Sequence, residues 1–347
     1  MSTTSPADST LISRRDISFL LYEWLNVEGM LDRPAYAGQS KAVYDEVLEL
    51  SERIAADMFA PYNRDADENE PHVGPDGKVE LIPETGPALK AFFEAGLGGA
   101  AMPASVGGME LPSVVGNAGF SFFHAANTSF AVYALLTIGA ANLIVANGSE
   151  EQIEKYVGPM VEGRFYGTMC LSETQAGSSL TDITTRAEPQ EDGTYRIFGS
   201  KMWISGGEHE LSDNIVHLVL AKVPGAPEGI KGISLFIVPR VFVNDDGSLG
   251  DNNDVALAGL NHKMGFRGTV NTVMAFGDGA HTPGGEAGAV GWLVGEENRG
   301  LAYMFHMMNE ARTGVGLGAT SLGYAGYLKS LKYAKERPQG RPVLGKD

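Results

Sequence analysis

The sequence has a single cysteine, Cys170, among 347 residues. One thiol cannot close an internal disulfide, which is typical of a reducing compartment, and we therefore expect a cytoplasmic protein. The first ten residues, MSTTSPADST, lack the basic and then apolar order of a secretory signal. No apolar run approaches the 18 or so residues of a membrane-spanning helix, so we expect no membrane association.

Positive charge is also scarce. The chain has 26 Lys and Arg residues against 43 Asp and Glu residues, and its net charge is −17. Such a surface repels polyanions, which disfavours nucleic acid and anionic membranes as partners. A local basic pocket for a phosphorylated ligand remains compatible with this charge. We predict no metal site.

The hydrophobic pattern divides the chain into three parts. Hydrophobic residues make up 43% and charged residues 20%, which is normal for a globular protein of two to three domains. The period is helical up to about residue 164, alternating and β-branched from 165, and helical again from 299. We therefore predict an α+β fold with an N-terminal extension (1–39), a helical domain (40–164), a β-barrel-like domain (165–285) and the start of a C-terminal helical domain (286–347).

Several elements can be predicted within this frame. We expect helices over 17–30, 40–59, 87–96, 114–136, 137–146 and 301–323, a helical segment over 324–337 that either continues or follows the last of these, and an acidic surface loop over 65–77. One or two amphipathic helices cannot form a core of their own. We therefore expect the C-terminal helical domain to be incomplete in this chain.

Residues 166–187 contain the most informative stretch. A β-prone run is followed by a hydroxyl-rich loop, SETQAGSS, over 172–179. Such a loop offers backbone N–H and hydroxyl donors to a planar ring edge or a phosphate, although an ordinary turn is the alternative. We interpret Cys170, inside the β-prone run, as a small buried side chain and not as a nucleophile, because no arrangement with a histidine is evident.

Three further stretches carry candidate binding residues. In GSKMWISGGEH (199–209), Trp203 and Ser205 lie two positions apart on a strand and so share a face, where they could contact a planar ring. In NEAR (309–312), Arg312 lies in a helix of small residues and needs either a ligand or an exposed salt bridge. In RPQGR (337–341), two arginines surround a glycine turn, which suits a diphosphate or a solvated helix end. A tryptophan of the core is the alternative for Trp203.

Together these stretches resemble the acyl-CoA dehydrogenase family. The motif T/S-E-x-x-A-G-S is matched by SETQAGS (172–178), and N/S-G-x-K-x-W-I-T/S by GSKMWIS (199–205). The motifs K-M-G-x-R-G and Y-A-x-x-R-x-x-G follow at 263–268 and 333–340. The resemblance runs from 40 to 347, and the N-terminal extension is similar to that of the larger-subunit branch. Thr174 and Ser179 depart from the family, which usually has Pro and often has Asp there.

The resemblance implies FAD as the cofactor and assigns its contacts. The flavin ring should lie beside the strand that ends in Ser172, whose hydroxyl should donate near the N1/C2 edge. Trp203 should wall the ring and Ser205 should bond near its N5 atom. The loop should meet the FAD pyrophosphate or CoA at Ser178. The full set of implied cofactor contacts is Met169, Cys170, Leu171, Ser172, Gly177, Ser178, Trp203, Ser205, Arg337 and Gln339.

The substrate and the partners are implied in the same way. Ser178, Asn309 and Arg312 should contact an acyl-CoA, and an electron-transfer flavoprotein should take up the electrons. Because Arg337 and Gln339 should reach the FAD of a neighbouring subunit, a homodimer or homotetramer is implied. Phe130, Tyr133 and Met308 are candidates for the acyl pocket.

The implied reaction is α,β-dehydrogenation of the thioester, which needs a carboxylate base. One family position for the base is Ala311, which cannot serve, and Glu310 lies about 100° further around the helix. We therefore expect the catalytic glutamate beyond Asp347. A flavin- or CoA-binding relative without dehydrogenase activity and an acyl-CoA oxidase are the alternatives.

Overall fold

The structure is a computed structural model that describes residues 11–340. Besides short 3₁₀ and π turns, its helices are α1 (Arg14–Ser18), α2 (Lys41–Ile54), α3 (Asn63–Glu68), α4 (Thr85–Glu94), α5 (Ser113–Asn147), α6 (Glu150–Gln152), α7 (Gly158–Val161) and α8 (Gly300–Glu336). Most of the helices precede the strands, and α8 follows them.

The strands lie almost entirely between α7 and α8. They are β1 (His72–Val73), β2 (Val79–Glu80), β3 (Phe165–Cys170), β4 (Arg186–Pro189), β5 (Tyr195–Ser205), β6 (Asn214–Lys222), β7 (Ile233–Pro239), β8 (Val241–Val243), β9 (Leu249–Asn252), β10 (Val255–Leu260), β11 (Asn271–Phe276) and β12 (Ala289–Leu293). The predicted α+β order of a helical part, a β part and a further helix is confirmed.

The main sheet closes on itself. Strand β5 pairs with β12, β12 with β7, and β7 with β6, while β4 bridges β6 back to β5. Strand β3 adds to the sheet parallel to β6, and β11 with β10 adds beside β5. Its interior is apolar, since Ile197, Val219, Phe236 and Phe276 are all buried. The β part is therefore barrel-like, as the alternating pattern predicts.

Helix α5 is the axis against which the other parts pack. Gly167 of β3 lies so close to α5 that a Cβ there would clash with the Cβ of Ala140, and its N–H donates to the Thr137 hydroxyl at 3.1 Å. Helix α8 runs along α5, with Gly314 against Leu135. The small residues of α5 and α8 thus allow the helices and β3 to approach closely.

The prediction of two helices over 114–136 and 137–146 was wrong, because α5 is continuous there. Its irregularity lies instead at Asn127, whose φ of −159° and ψ of 94° are not helical. The Asn127 side chain accepts from Phe130 N at 3.3 Å and donates to Phe59 O at 3.4 Å. An asparagine in this role caps the following turn, and this local bond is what the apolar pattern could not indicate.

The prediction that the chain is all-helical up to about residue 164 was wrong, because residues 11–164 also contain two short strands. Part of the predicted loop over 65–77 is helical to Glu68, and β1 and β2 then form a hairpin. The predicted helix over 17–30 is broken into α1, a π turn (Phe19–Trp24) and a 3₁₀ turn (Val27–Asp32). Asn26 separates the last two in a left-handed conformation with φ of 50°, which ends regular helix.

Helix α5 also corrects the expectation about apolar runs. By length and composition it could cross a membrane, with a mean hydropathy of 1.9 over its most apolar window. Of that window, 61% is buried inside the protein, as in a core helix. Its apolar surface is used to pack α8, β3 and the preceding helices.

Candidate functional site

The loop after β3 and the tryptophan segment of β5 lie side by side. The N–H of Met202 donates to the carbonyl of Ser172 at 2.9 Å. The Lys201 ammonium donates to the carbonyl of Leu171 at 3.0 Å and to Oε1 of Glu173 at 2.9 Å. Two motifs that lie far apart in the sequence are therefore held together by these bonds.

A buried carboxylate holds the hydroxyl-rich loop in place. Glu173 is 5% exposed and accepts from the backbone N–H and the hydroxyl of both Thr184 and Thr185, at 2.6–3.1 Å. Burial alone would raise the pKa of Glu173, but the charge of Lys201 and these donors outweigh it and hold the pKa at about 2. Glu173 and Lys201 are thus an internal ion pair that fixes the loop on β5. Neither residue was assigned a role from the sequence.

Trp203 points away from the barrel because β5 bulges at this position. The register between β5 and β11 shifts so that Met202 and Trp203 together face Val273. Trp203 has φ of 66° and a side chain that is 54% exposed, while its neighbour Ile204 is buried. A left-handed conformation is rare for a bulky residue, and bulges commonly re-aim a side chain at a binding site. Trp203 is therefore not a core residue.

Ser205 lies beyond the bulge, two residues after Trp203. It is half-buried and Trp203 is exposed, whereas Ile204 between them is buried, so Trp203 and Ser205 share one face of β5. Its Oγ accepts from Nδ2 of Asn271 at 3.0 Å. The amide oxygen of Asn271 in turn accepts from Nδ2 of Asn261 at 2.9 Å. The two asparagines line an open cavity of about 350 Å³ together with Lys263, Arg267 and Glu70.

A second, apolar cleft joins β3 to α8. It is lined by Met169 of β3 and by Met308, Ala311, Arg312 and Val315 of α8, and its volume is about 330 Å³. Two predicted site residues, Met169 and Arg312, therefore meet here, and so does the acyl-pocket candidate Met308. The other two candidates, Phe130 and Tyr133, are 0% and 2% exposed and lie in the helical core.

The residues that line this cleft include no carboxylate. Glu310 is turned towards α5, where its Oε1 accepts from Nδ2 of Asn142 at 2.8 Å. Although Glu310 as a whole is exposed, desolvation of its carboxyl group beside α5 raises its pKa to about 7, and the Asn142 bond opposes this rise. The geometry thus separates Glu310 from Ala311, the cleft residue next to it.

Cys170 is buried in the sheet with its side chain away from solvent. Its Sγ lies 3.9 Å from Nδ1 of His217, which also bonds the Thr168 hydroxyl at 2.8 Å. A histidine partner was not evident in the sequence because β6 brings it alongside β3. Burial raises the pKa of Cys170 to about 12 and lowers that of His217 to about 3, so the pair is a neutral core contact. The residue as a whole is 0% exposed, so neither its side chain nor its backbone lies at the surface.

Among the other predicted site residues, Leu171 is buried at 7% exposure and Ser172 is half-buried, whereas those that follow in the chain are exposed. Gly177 and Ser178 lie in the open loop after β3. Arg312 donates to Oδ1 of Asn309 at 3.3 Å, and in residues 11–340 it has no carboxylate within salt-bridge distance. Arg337 ends α8 and bonds the Tyr333 hydroxyl. Gln339 follows it, and Arg341 lies outside the described residues.

Comparison with known proteins identifies the family. The models of the acyl-CoA dehydrogenase N-terminal domain and middle domain match residues 44–164 and 168–278. The chain is 39% identical to 3-methylmercaptopropionyl-CoA dehydrogenase of Ruegeria pomeroyi over 95% of its own length and 54% of that protein's. It is 35% identical to a butyryl-CoA dehydrogenase of Syntrophomonas wolfei, with 96% and 55% covered. The chain thus spans about half the length of these relatives.

Solved structures show the same fold. An acyl-CoA dehydrogenase of Bacillus anthracis, described as complexed with FAD, has a TM-score of 0.69 at 23% identity, over 87% of this chain and 46% of that chain. Butyryl-CoA dehydrogenase of Megasphaera elsdenii has a TM-score of 0.68 at 22% identity, over 88% and 72%. The fold and the matched models agree with the sequence motifs, and the chain belongs to the acyl-CoA dehydrogenase family.

Proposed function

We propose that this chain is the flavin- and CoA-binding part of an FAD-dependent acyl-CoA dehydrogenase. The observation that carries the proposal is the Trp203 bulge held beside the Ser172 loop. It presents an exposed indole, the exposed loop residues after Glu173 and the Ser205 hydroxyl from adjoining segments. Each is a group that a planar, hydrogen-bonding ring system can use.

The donor set fits a flavin dinucleotide. The Trp203 indole offers a flat apolar wall, and Ser205 lies on the same side of its strand. After Glu173 the loop over 172–178 is exposed except at Ala176, and its end carries Gly177 and the Ser178 hydroxyl without a bulky side chain, which suits a pyrophosphate. Arg337 and Gln339 would extend this donor set from a neighbouring subunit in a homodimer or homotetramer.

The apolar cleft fits the acyl end of the substrate. Met169, Met308 and Val315 supply an apolar lining. Arg312 adds a positive charge to the cleft, and its side chain donates to Asn309. Ser178 would contact the CoA moiety from the loop. FAD, when bound, supplies the hydride acceptor that no side chain can provide. The residues of this chain would orient the thioester and exclude water from it.

A carboxylate base is needed in addition to these groups. The thioester α proton is weakly acidic, so it must meet a desolvated carboxylate. The described cleft residues contain none, and Ala311 stands at the helix position next to Arg312. We infer that the base is supplied by a residue outside 11–340, as expected from the sequence.

We propose 3-(methylthio)propanoyl-CoA as the substrate, with 3-(methylthio)acryloyl-CoA as the product. The sequence identity of 39% with an enzyme named for this thioester supports it, and the identity of 35% with a butyryl-CoA dehydrogenase makes butyryl-CoA the competing choice. An electron-transfer flavoprotein is the proposed electron acceptor, and the cytoplasm the proposed location.

Calorimetric titration of the 347-residue chain tests the proposal. We expect FAD to bind, and both thioesters to bind the FAD-loaded chain, the methylthio compound more tightly. Arg312→Gln should weaken both thioesters and leave FAD binding unchanged. Arg64→Gln, which removes an exposed cation of α3, is the matched control. Failure to bind FAD, or equal thioester binding by Arg312→Gln and the parent chain, would contradict the assignment.

A further inference from the structure

The hydroxyl of Ser205 is oriented by a chain of two asparagine amides. Asn261 donates to the oxygen of Asn271 at 2.9 Å, and Asn271 donates through its nitrogen to Oγ of Ser205 at 3.0 Å. In this orientation of the two amides, the oxygen of Asn271 accepts from Asn261 and its NH₂ group faces the serine.

The direction of these hydrogen bonds decides whether the Ser205 hydroxyl can donate to a ligand. A hydroxyl that accepts from an amide keeps its own proton free to donate. In residues 11–340, the Ser205 hydroxyl proton has no protein acceptor within hydrogen-bond distance. Asn271 is 6% exposed, whereas Ser205 is half-buried. The chain of hydrogen bonds therefore runs from a buried amide to a hydroxyl that reaches the surface.

Strand pairing holds the asparagine in register with the serine. Asn271 pairs directly with Ser205 across β11 and β5, and the carbonyl of Asn271 accepts from Asn261 N at 2.8 Å. The neighbouring Val270 bonds the core through its N–H, which donates to the buried Tyr133 hydroxyl at 2.9 Å. The start of β11, which carries Asn271, is therefore held by β5 through strand pairing and by α5 through Tyr133.

We propose that Asn271, itself aligned by Asn261, is a positioning residue that makes Ser205 an obligatory hydrogen-bond donor towards an acceptor atom of the flavin ring edge. This inference rests on the proposed FAD site. It assigns to the two asparagines a role that the motif containing Ser205 does not include. An acceptor at the ring edge is thereby favoured over a donor.

The substitution Asn271→Asp reverses the bond without changing the shape of the side chain. An ionised carboxylate can only accept, so the Ser205 hydroxyl donates its hydrogen bond to the carboxylate and none is left for the ring. We expect FAD binding to weaken about threefold to tenfold at neutral pH, as the loss of one hydrogen bond implies. The affinity should recover on acidification, because the protonated carboxyl group of the variant can donate again.

Asn244→Asp is the matched control, since Asn244 also donates to a serine, Ser248, at 2.9 Å, but in an exposed turn. It should show neither the loss nor the recovery. Asn261→Ala avoids a new charge and should give a smaller loss of FAD affinity than Asn271→Asp. Equal FAD affinity at neutral pH in the parent chain and in Asn271→Asp would overturn the proposal.

A measurement without FAD separates this inference from the proposed function. The side-chain amide resonances of Asn271, observed by ¹⁵N NMR in the FAD-free chain, should shift in Ser205→Ala and in Asn261→Ala. Unchanged resonances would show that the bonds are absent and would overturn the inference even if FAD binds. Shifted resonances in a chain that fails to bind FAD would contradict the proposed function and leave the amide chain established as a structural feature only, which also overturns its role towards the ring.

Discussion

Removal of the Glu173 charge is the sharpest test of how the site is held together. In Glu173→Gln the Lys201 ammonium, 0% exposed, loses its counter-ion and keeps the Leu171 carbonyl as an acceptor. Breaking one side of a buried ion pair typically costs about 3–5 kcal/mol. With a urea m value of about 3 kcal/mol/M, the midpoint of urea unfolding should fall by about 1–2 M.

The double variant Glu173→Gln/Lys201→Met isolates the coupling. Removing both charges leaves no unpaired ion, so the double variant should lose less stability than the sum of the two single variants. Lys201→Met alone leaves the carboxylate with its donors from Thr184 and Thr185, and should be less harmful than Glu173→Gln. Glu68→Gln, in the exposed pair with Arg64, should leave the midpoint unchanged.

The pH dependence gives an independent readout. An unfolded glutamate has a pKa of 4.5, and the pKa of folded Glu173 is held at about 2. Its contribution to stability is therefore fully present above pH 4.5 and is lost as the pH falls towards 2. The difference in midpoint between the parent chain and Glu173→Gln should shrink over this range. An equal midpoint for both proteins at neutral pH, or strict additivity in the double variant, would refute the reasoning.

Three further variants test other parts of the structure. Trp203→Gly should leave the melting temperature unchanged or raise it, because glycine relieves the φ of 66° and the lost side chain is 54% exposed, while FAD affinity should fall about tenfold if the indole walls the ring. Gly300→Ala should lower the free energy of unfolding, measured in urea, by about 1–3 kcal/mol, because its Cβ would clash with the Ser234 carbonyl carbon. An unchanged free energy would contradict the close contact between the start of α8 and Ser234. Glu310→Gln should have a higher melting temperature than the parent chain at about pH 8 and nearly the same one at about pH 5. The pKa of folded Glu310 is raised to about 7, so its ionisation costs stability as the pH rises from 4.5 through 7. A difference in melting temperature that does not change with pH would contradict that pKa.

The order of helices and strands could be predicted because hydrophobic period survives along most of the chain. The prediction of helix boundaries failed where one side chain or one backbone conformation decides the local structure. The cap made by Asn127 places the irregularity of α5 about ten residues before the predicted break, and the left-handed Asn26 interrupts the N-terminal helix. Each feature depends on a single residue, so it leaves no repeating hydrophobic pattern from which it could be predicted.

The candidate site divides in the same way. The motifs located Ser172, Trp203 and Arg312 by residue type, and the shared face of Trp203 and Ser205 was predicted from alternation. The bulge that aims Trp203 outward could not be predicted, because it depends on register with β11. The supports of the site were missed for the same reason: Glu173 and Lys201 meet only when β3 and β5 are brought together.

Quenching of tryptophan fluorescence by FAD tests the central claim most directly. The chain has three tryptophans, Trp24, Trp203 and Trp292, and only Trp203 lies beside the Ser172 loop. We predict that FAD quenches part of the emission in a saturable way, that ADP, which has no flavin ring, does not, and that Trp203→Phe abolishes the quenching while retaining measurable FAD binding by calorimetry. Saturable quenching that persists in Trp203→Phe, or its absence from the parent chain, would contradict the placement of the flavin against this bulge.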